Sequence, residues 1–278
     1  MIKLEDVSFS YNNFEVLSNI SLEVSDGEFV AVLGKNGAGK STFLKLLNAL
    51  LLPYSGNIYI NGRNTKDQKS TYAIRSEACL VLQNPDNQII HSIVEEDVAF
   101  GPENLGLLKE EIQSRISKAL KLVKMEEYAK SAVSELSGGQ KQKIAVAGVL
   151  AMNPKCLLLD EITTMLDAES KRDILNIIKD INEKSRTTVI MVTHDEEEIV
   201  LANRVLVFGK GKILLDSSTK NIFYNDELTN RLHIKKPKII EFVQKLKDKD
   251  INIKEQIILE NECFEFLEKK LKFKQKMK

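Results

Sequence analysis

The chain has 278 residues, 43% hydrophobic and 29% charged, the balance of a soluble globular protein able to bury a full core. Lys+Arg and Asp+Glu both number 40, whereas a chain partnered mainly with a polyphosphate backbone is usually more basic, so bulk nucleic-acid binding is disfavoured. Cys79, Cys156 and Cys263 are scattered, odd in number and without a CxxC pair, which suits reduced thiols rather than a disulfide framework.

The opening MIKLEDVSFSY has no basic segment followed by an apolar run, so no signal peptide is expected. Ile2–Tyr11, Ile20–Val24 and Asn57–Asn61 read as antiparallel strands around turns at Asp26-Gly27 and Ser55-Gly56. Phe29–Leu33, Cys156–Leu159, Val189–Val192 and Val205–Phe208 are continuous apolar runs, the pattern of parallel strands covered on both faces. Helical periodicity separates them over 110–124, 140–152 and 168–183. The longest near-apolar stretch, Phe43–Leu52, is interrupted by Lys45 and Asn48 and is too short to cross a bilayer. The class is α/β, with a main domain over residues 1–220 and a phosphate-type ligand expected at the carboxyl ends of the strands.

Charge shifts at the end of the chain: Lys235 to Lys278 carries 13 Lys against 8 Asp+Glu. With Pro237 following a polar stretch, this places a boundary within 215–235 and leaves a tail over 221–278. Pro237 fits the first turn of a helix in which Ile239, Ile240, Val243 and Leu246 share a face. Asn261 suits the cap of a second helix with Cys263, Phe264, Leu267 and Leu271 turned one way. On these residues alone, a packing flap and a dimerisation surface are both open readings.

Three segments carry chemistry. Gly34-Lys35-Asn36-Gly37-Ala38-Gly39-Lys40-Ser41 matches G-x-x-x-x-G-K-[ST], with an apolar strand leading in and a helical stretch leading out from Thr42. Its glycines let backbone N–H groups face phosphate oxygens, and the helix N-terminus adds its positive end. Lys40 would reach the β- and γ-phosphates, and the Ser41 hydroxyl would bind Mg²⁺. Such a loop implies a carboxylate on a neighbouring strand, and Cys156–Leu159 ends in Asp160 and Glu161. Asp160 would orient Mg²⁺ through water, and Glu161, one residue further out, could act as general base on a water against the γ-phosphate. Third, Leu136-Ser137-Gly138-Gly139-Gln140 opens a helix. Ser137 and Gln140 form an S-x-x-Q capping box, but Gly138 and Gly139 each cost about 1 kcal/mol relative to Ala. They make sense where backbone approaches an anion, and a second cradle in one chain suggests opposite sides of a dimer.

This set resembles the ATP-binding subunits of ATP-binding-cassette (ABC) transporters. Leu136–Gln140 is identical to that family's signature and lies about twenty residues before the Asp160-Glu161 strand. The resemblance implies the P-loop cassette fold, with an N-terminal antiparallel β subdomain, a helical subdomain at about 84–150 and a C-terminal helical extension. It also implies that Gly34 to Thr42 binds ATP, that Tyr11 stacks on adenine, and that Gln83 senses Mg²⁺ and the attacking water. Asp167 would communicate across the dimer, and His194 would contact the γ-phosphate. His91 and His233 match no motif.

More narrowly, Gln83–Gln88 and Val94–Gly106 resemble the ATPases of energy-coupling-factor transporters, which take up vitamins or, in one branch, cobalt and nickel ions. Residues 43–52 and 146–152 look like the first of two paralogous ATPases in such systems. Leu232-His233-Ile234-Lys235-Lys236-Pro237 fits that family's extension, which favours dimerisation for the tail. The resemblance implies a second ATPase, paralogue or self, an integral membrane scaffold and a substrate-binding membrane subunit as partners, no nucleic acid, and a place on the cytoplasmic face of the membrane. Ile162-Thr163, Ala168 and Lys143 depart from the usual pattern without removing a phosphate, metal or base group. The alternatives are a cassette of another transporter class or, less favoured, an ABC ATPase acting on nucleic acid or ribosomes.

Overall fold

A computed structural model describes residues 1–249, 253 and 256–276, the side chains of 269–276 excepted. In chain order, β1 (Ile2–Tyr11) and β2 (Phe14–Val24) form a hairpin, followed by β3 (Phe29–Gly34), α1 (Lys40–Leu47), β4 (Ser55–Ile60) and β5 (Arg63–Asn64). Then come α2 (Thr71–Glu77), β6 (Ala78–Val81), α3 (Val94–Asn104), α4 (Lys109–Leu122) and α5 (Gly138–Ala151). The chain continues with β7 (Cys156–Asp160), α6 (Ala168–Ser185), β8 (Thr188–Val192), α7 (Glu196–Ile199), β9 (Arg204–Gly209) and β10 (Lys212–Ser218). Four helices finish it: α8 (Thr219–Tyr224), α9 (Asp226–Leu232), α10 (Lys238–Lys247) and α11 (Glu260–Lys276).

The larger sheet runs β10-β9-β3-β8-β7-β6, with all pairs parallel except the edge pair β10–β9. The smaller is antiparallel, in the order β2-β1-β4-β5. The apolar runs divide between two layers by their period of two. Phe29, Ala31 and Leu33 join Leu157, Leu159, Val189 and Met191 in a core with the helical face. Val30, Val32, Leu158, Ile190 and Val192 face Phe43, Leu44 and the antiparallel sheet. Strands covered on both sides need no polar face, which is why they read as unbroken hydrophobic runs.

Register then fixes the site. Val32 pairs with Val192, Asp160 with Val192, and Val81 with Leu159. The residues just beyond β3, β6, β7 and β8 therefore emerge at one edge, the carboxyl edge where α/β sheets bind ligands.

Several boundaries differ from the sequence expectation. Ser55-Gly56 is the start of β4 rather than a turn: Gly56 has φ +76, and a Cβ there would lie 2.3 Å from the Glu5 carbonyl oxygen, so the glycine permits close approach to β1. β2 begins at Phe14, six residues before Ile20, because it pairs along β1 from Tyr11 onward. Helix α5 starts two residues before the 140–152 periodicity, with Ser137 as its cap and both glycines in its first turn as the capping box predicts. Pro237 is the cap residue of α10 rather than part of its first turn. Asn261 does not cap α11, which begins at Glu260; the Glu262 carboxylate accepts instead from the Ile258 and Leu259 amides at 2.9 and 3.3 Å. Phe264 turns to solvent while Cys263 is buried and Leu267 half-buried; the side chain of Leu271 lies outside the described residues.

In the tail, Ile222, Phe223, Ile240 and Ile258 join the main core, whereas Val243, Ile253, Ile257 and Cys263 form a small cluster of their own. Among the described residues, no helix is long and apolar enough to cross a membrane.

Candidate functional site

The loop after β3 turns through three glycines with positive φ: Gly34 at 148°, Gly37 at 78° and Gly39 at 98°. Two are also forced by space. A Cβ on Gly34 would lie 2.4 Å from the Phe208 carbonyl oxygen, and one on Gly39 would lie 2.6 Å from Leu17 Cδ2. Gly37 has open space in front of it, the side a phosphate would occupy. Lys35 and Asn36 are exposed, Ala38 and Thr42 are buried, and the Ala38 amide closes a turn onto the Lys35 carbonyl at 3.1 Å.

Lys40 is buried, and its Nζ donates to the Gly34 carbonyl at 2.7 Å and to that of Lys35 at 3.4 Å. The same nitrogen lies 3.2 Å from His194 Nε2 and 3.9 Å from Glu161 Oε1. Burial lowers its pKa below the usual lysine value, opposed by Glu161 and Asp160. The ammonium is thus held by two loop carbonyls, with His194 and the Glu161 carboxylate on its other side.

Glu161 is where the strand ends converge. Its Oε2 accepts from Gln83 Nε2 at 3.0 Å, and its Oε1 lies 3.3 Å from His194 Nε2. Gln83 follows β6, Glu161 follows β7 and His194 follows β8, so the register brings all three to Lys40. Glu161 has φ +49, a left-handed conformation uncommon for a residue with a Cβ. Its amide is tied to the Val192 carbonyl at 3.1 Å.

Asp160 is buried, and burial raises its carboxyl above the usual range, offset by a hydrogen bond with the Ser41 side chain. Among the described residues, no group of three His, Cys, Asp or Glu could hold a metal alone. Two oxygen donors beside a phosphate cradle suit Mg²⁺, which takes few protein ligands and completes its shell with phosphate and water. The residues present fit that ion.

The other sequence candidates fall in three places. Tyr11 ends β1, 44% exposed and packed edge-on against Phe9 at 4.9 Å between centroids. Asp167 caps α6, accepting from the Glu169 and Ser170 amides at 3.0 and 2.9 Å, and these bonds draw its carboxyl below the usual range. Ala168 is then the first helical position, where proline is also tolerated, so that departure carries no geometric penalty. Leu136 is buried; Ser137 and Gln140 make the reciprocal capping box, at 3.3 and 2.9 Å. Gly138 faces open space and Gly139 looks toward Leu166 and Met165. None of Leu136–Gln140 lines the cavity beside the phosphate loop of its own chain.

Residues that sequence reasoning passed over also belong here. Buried Gln142 donates to the Leu82 carbonyl at 3.2 Å, Gln88 donates to the Ala145 carbonyl at 3.1 Å, and Lys141 pairs with Asp86 at 2.8 Å. Helix α5 is thereby bound to the segment carrying Gln83. A cavity of about 760 Å³ beside the phosphate loop is lined by Gly34–Ala38, His194, Phe208, Arg231 and His233, which places His233 near the site though it matches no motif. Glu198, fully buried in α7, walls a second cavity with Glu161, Thr163 and His194.

Residues 17–164 match the family described as ABC transporter. A relative from Clostridium novyi (strain NT), named energy-coupling factor transporter ATP-binding protein EcfA1, is 45% identical over 263 residues, covering 93% of this chain and 94% of its own. A protein of the same name from Ligilactobacillus salivarius (strain UCC118) is 41% identical over 279 residues, covering 99% and 97%. The solved structure of cbiO1 from Clostridium perfringens, described as part of the ABC transporter complex cbiONQ, superposes with a TM-score of 0.73 at 32% identity, covering 87% of this chain and 98% of that one. A dimeric post-hydrolysis structure of the ATP-binding cassette MJ0796, bound to ADP and Pi, gives 0.72 at 30% identity, covering 79% and 99%.

Proposed function

The chain belongs to the ABC transporter family, among the ATP-binding proteins of energy-coupling-factor transporters, and from that premise we propose that its ATP hydrolysis drives uptake of vitamins or of cobalt or nickel ions through membrane partner subunits. The observation that carries the chemical part is the meeting of Lys40, Gln83 and His194 on the Glu161 carboxylate at the mouth of the phosphate loop.

The backbone N–H groups of the loop and Lys40 take the phosphates of ATP, which displace the Lys40 ammonium from the Gly34 and Lys35 carbonyls. Ser41 and Asp160 would hold Mg²⁺, which when bound neutralises charge building on the phosphates. Glu161 accepts a proton as water oxygen bonds to the γ-phosphorus and the bond to the β-phosphate oxygen breaks, releasing ADP. Gln83 orients that water, and His194 fixes a γ-phosphate oxygen. Tyr11 stacks on the adenine.

The Ser137–Gln140 helix end, outside the cavity beside its own loop, closes on ATP held by a second cassette, a paralogue or a second copy. Asp167 lies at that junction, and the extension over 221–278 steadies the pair. Gln83 to Gly106 transmits closure to an integral scaffold, which keeps the chain at the cytoplasmic face of the membrane. A separate membrane subunit binds the solute.

The test is purification of the tagged chain from membranes of its native host in mild detergent. A second cassette ATPase and a small integral scaffold protein are expected to accompany it, and a third membrane protein would identify the solute class. Recovery in the soluble fraction with nucleic acid or ribosomal proteins would overturn the transport role.

A further inference from the structure

Glu198 is 2% exposed, a place carboxyl groups occupy only with partners. It lies four residues beyond His194, in α7. Its Oε1 accepts from the hydroxyl of Thr163, and its amide, in the first turn of α7, donates to the Asp195 carbonyl at 3.2 Å, while the Thr193 hydroxyl accepts from the Asp195 amide at 3.0 Å. Both threonines are themselves buried, at 8% and 3% exposure. Thr163 stands two residues after Glu161, and Thr193 immediately precedes His194. One residue therefore joins the loop of the base to the turn of the histidine.

The rest of the neighbourhood explains why such a brace is needed. Glu161 holds its left-handed backbone through its amide, which donates to the Val192 carbonyl, and its carbonyl, which accepts from the Thr164 amide at 3.4 Å and the Thr164 hydroxyl at 2.5 Å; none of these bonds reaches the turn of His194. On the other side, Asp195 Oδ2 and Glu197 Oε2 are drawn to Lys171 of α6, at 2.6 and 3.3 Å. That pairing turns two acids of the run 195–198 outward and leaves Glu198 facing the two loops. The phosphate loop, by contrast, takes its shape from Phe208 and Leu17.

We propose that Glu198 is a positioning residue for ATP hydrolysis, locking the loop of Glu161 and the turn of His194 into one arrangement through its bond to Thr163 and its place in the helix that follows His194. The inference rests on Glu161 being the base. Without the brace, Glu161 and His194 lose their mutual geometry, while the elements that bind the phosphates keep theirs. Misplacement of a reacting group by about 1 Å can cost a hundredfold in rate, so the loss falls on kcat.

The experiment measures steady-state kcat and KM for ATP in the assembled complex, partner subunits unaltered, for Glu198→Ala, Glu198→Gln, Thr163→Val and the Glu198→Ala/Thr163→Val double variant, with Glu161→Gln as reference. Glu198→Ala is expected to lower kcat at least about tenfold with KM little changed. Glu198→Gln recovers most of that loss, because an amide oxygen can still accept from the Thr163 hydroxyl. Thr163→Val matches Glu198→Ala, and the double variant is no worse than the worse single one. Turnover of Glu198→Ala within twofold of the parent, or a loss shared by KM and not relieved in Glu198→Gln, overturns the proposal. Should Glu198→Ala fail to fold, Thr163→Val and Glu198→Gln decide on the same two numbers. Normal turnover by Glu161→Gln would instead overturn the reading of the base, a result separate from the others.

Discussion

Replacing Glu161 with Gln removes one negative charge beside the position of the γ-phosphate while keeping the side chain's size. Glu161 Oε1 lies 3.9 Å from Lys40 Nζ, and a phosphate oxygen held by that ammonium at about 2.8 Å comes within roughly 5 Å of the carboxylate. Two unit charges at that separation repel by about 3 kcal/mol at an effective dielectric of 20. Cations gathered around the nucleotide offset roughly one to two thirds of this, leaving about 1–2 kcal/mol in favour of the variant, or ~5–30-fold in Kd. Turnover moves the other way: loss of a general base costs about 10²–10⁴ in rate, roughly 3–5 kcal/mol on the barrier. The variant should therefore bind ATP more tightly by equilibrium dialysis with labelled nucleotide and release phosphate at least a hundred times more slowly. Hydrolysis within a few-fold of the parent refutes the role given to Glu161. Weaker ATP binding refutes the electrostatic reasoning and leaves the base in place.

Four further outcomes follow from burial and backbone geometry. His233 ends α9 with φ +54, a conformation that suits glycine, so His233→Gly should raise stability by about 0.5–1 kcal/mol and the melting temperature by roughly 1–3 °C; a fall would mean that the imidazole is held in its cavity. Burial pushes the Cys79 thiol up to about 12 and raises Cys156 as well, so neither should react with a disulfide reagent at pH 8 until denaturant is added. Gln142→Ala leaves the Leu82 carbonyl without its side-chain partner and should lower stability by about 1–3 kcal/mol in urea titration. Burial also raises the Glu198 carboxyl above its unfolded value, helped by Asp195 and opposed by Thr163, Thr193 and Lys171. The unfolded chain then loses that proton first, so parent stability falls as pH climbs from the ordinary glutamate range through the raised native value. The advantage of Glu198→Gln in melting temperature should widen over that window and then level off; an advantage independent of pH would contradict the shift.

The phosphate loop was legible because its chemistry is local: three glycines, a lysine and a serine at fixed spacing between a strand and a helix. Asp160 and Glu161 were legible only beside that loop, which implies a carboxylate on a neighbouring strand; two acids ending a strand would otherwise read as a solvated pair. What failed to show was set by tertiary contact. Gly56 looks like a turn residue until β1 is seen pressed against it. Helix α3 went unassigned, broken to the eye by Gly101 and Pro102; a Cβ on Gly101 would meet Met152 Cγ at 2.6 Å, so the glycine serves packing. Phe264 was placed on the buried face of its helix and lies on the other. Glu198 stood in a run of four acids, and nothing in Asp195-Glu196-Glu197-Glu198 says which carboxyl turns inward. That is decided by Lys171 and Thr163, both distant in sequence.

The ties between α5 and the Gln83 segment bear on why the proposed machine needs two cassettes. In one chain, Gly138 at the start of α5 faces open space, Gly139 looks toward Leu166 and Met165, and neither lines the cavity beside the phosphate loop. Yet the body of that helix is bound to Leu82, Asp86 and Gln88, and the next residue in the chain, Gln83, bonds the Glu161 carboxylate. When α5 moves to meet the partner's nucleotide, it cannot do so without carrying Gln83, because breaking those bonds would leave the buried Gln142 amide and the Leu82 carbonyl unpaired. The position of Gln83 in turn sets how Glu161 and its water are aligned. On the proposed reading, binding of the partner's ATP would therefore be communicated to Glu161 through a helix and three side-chain bonds. A cassette built this way would hydrolyse efficiently only after both nucleotides are in place.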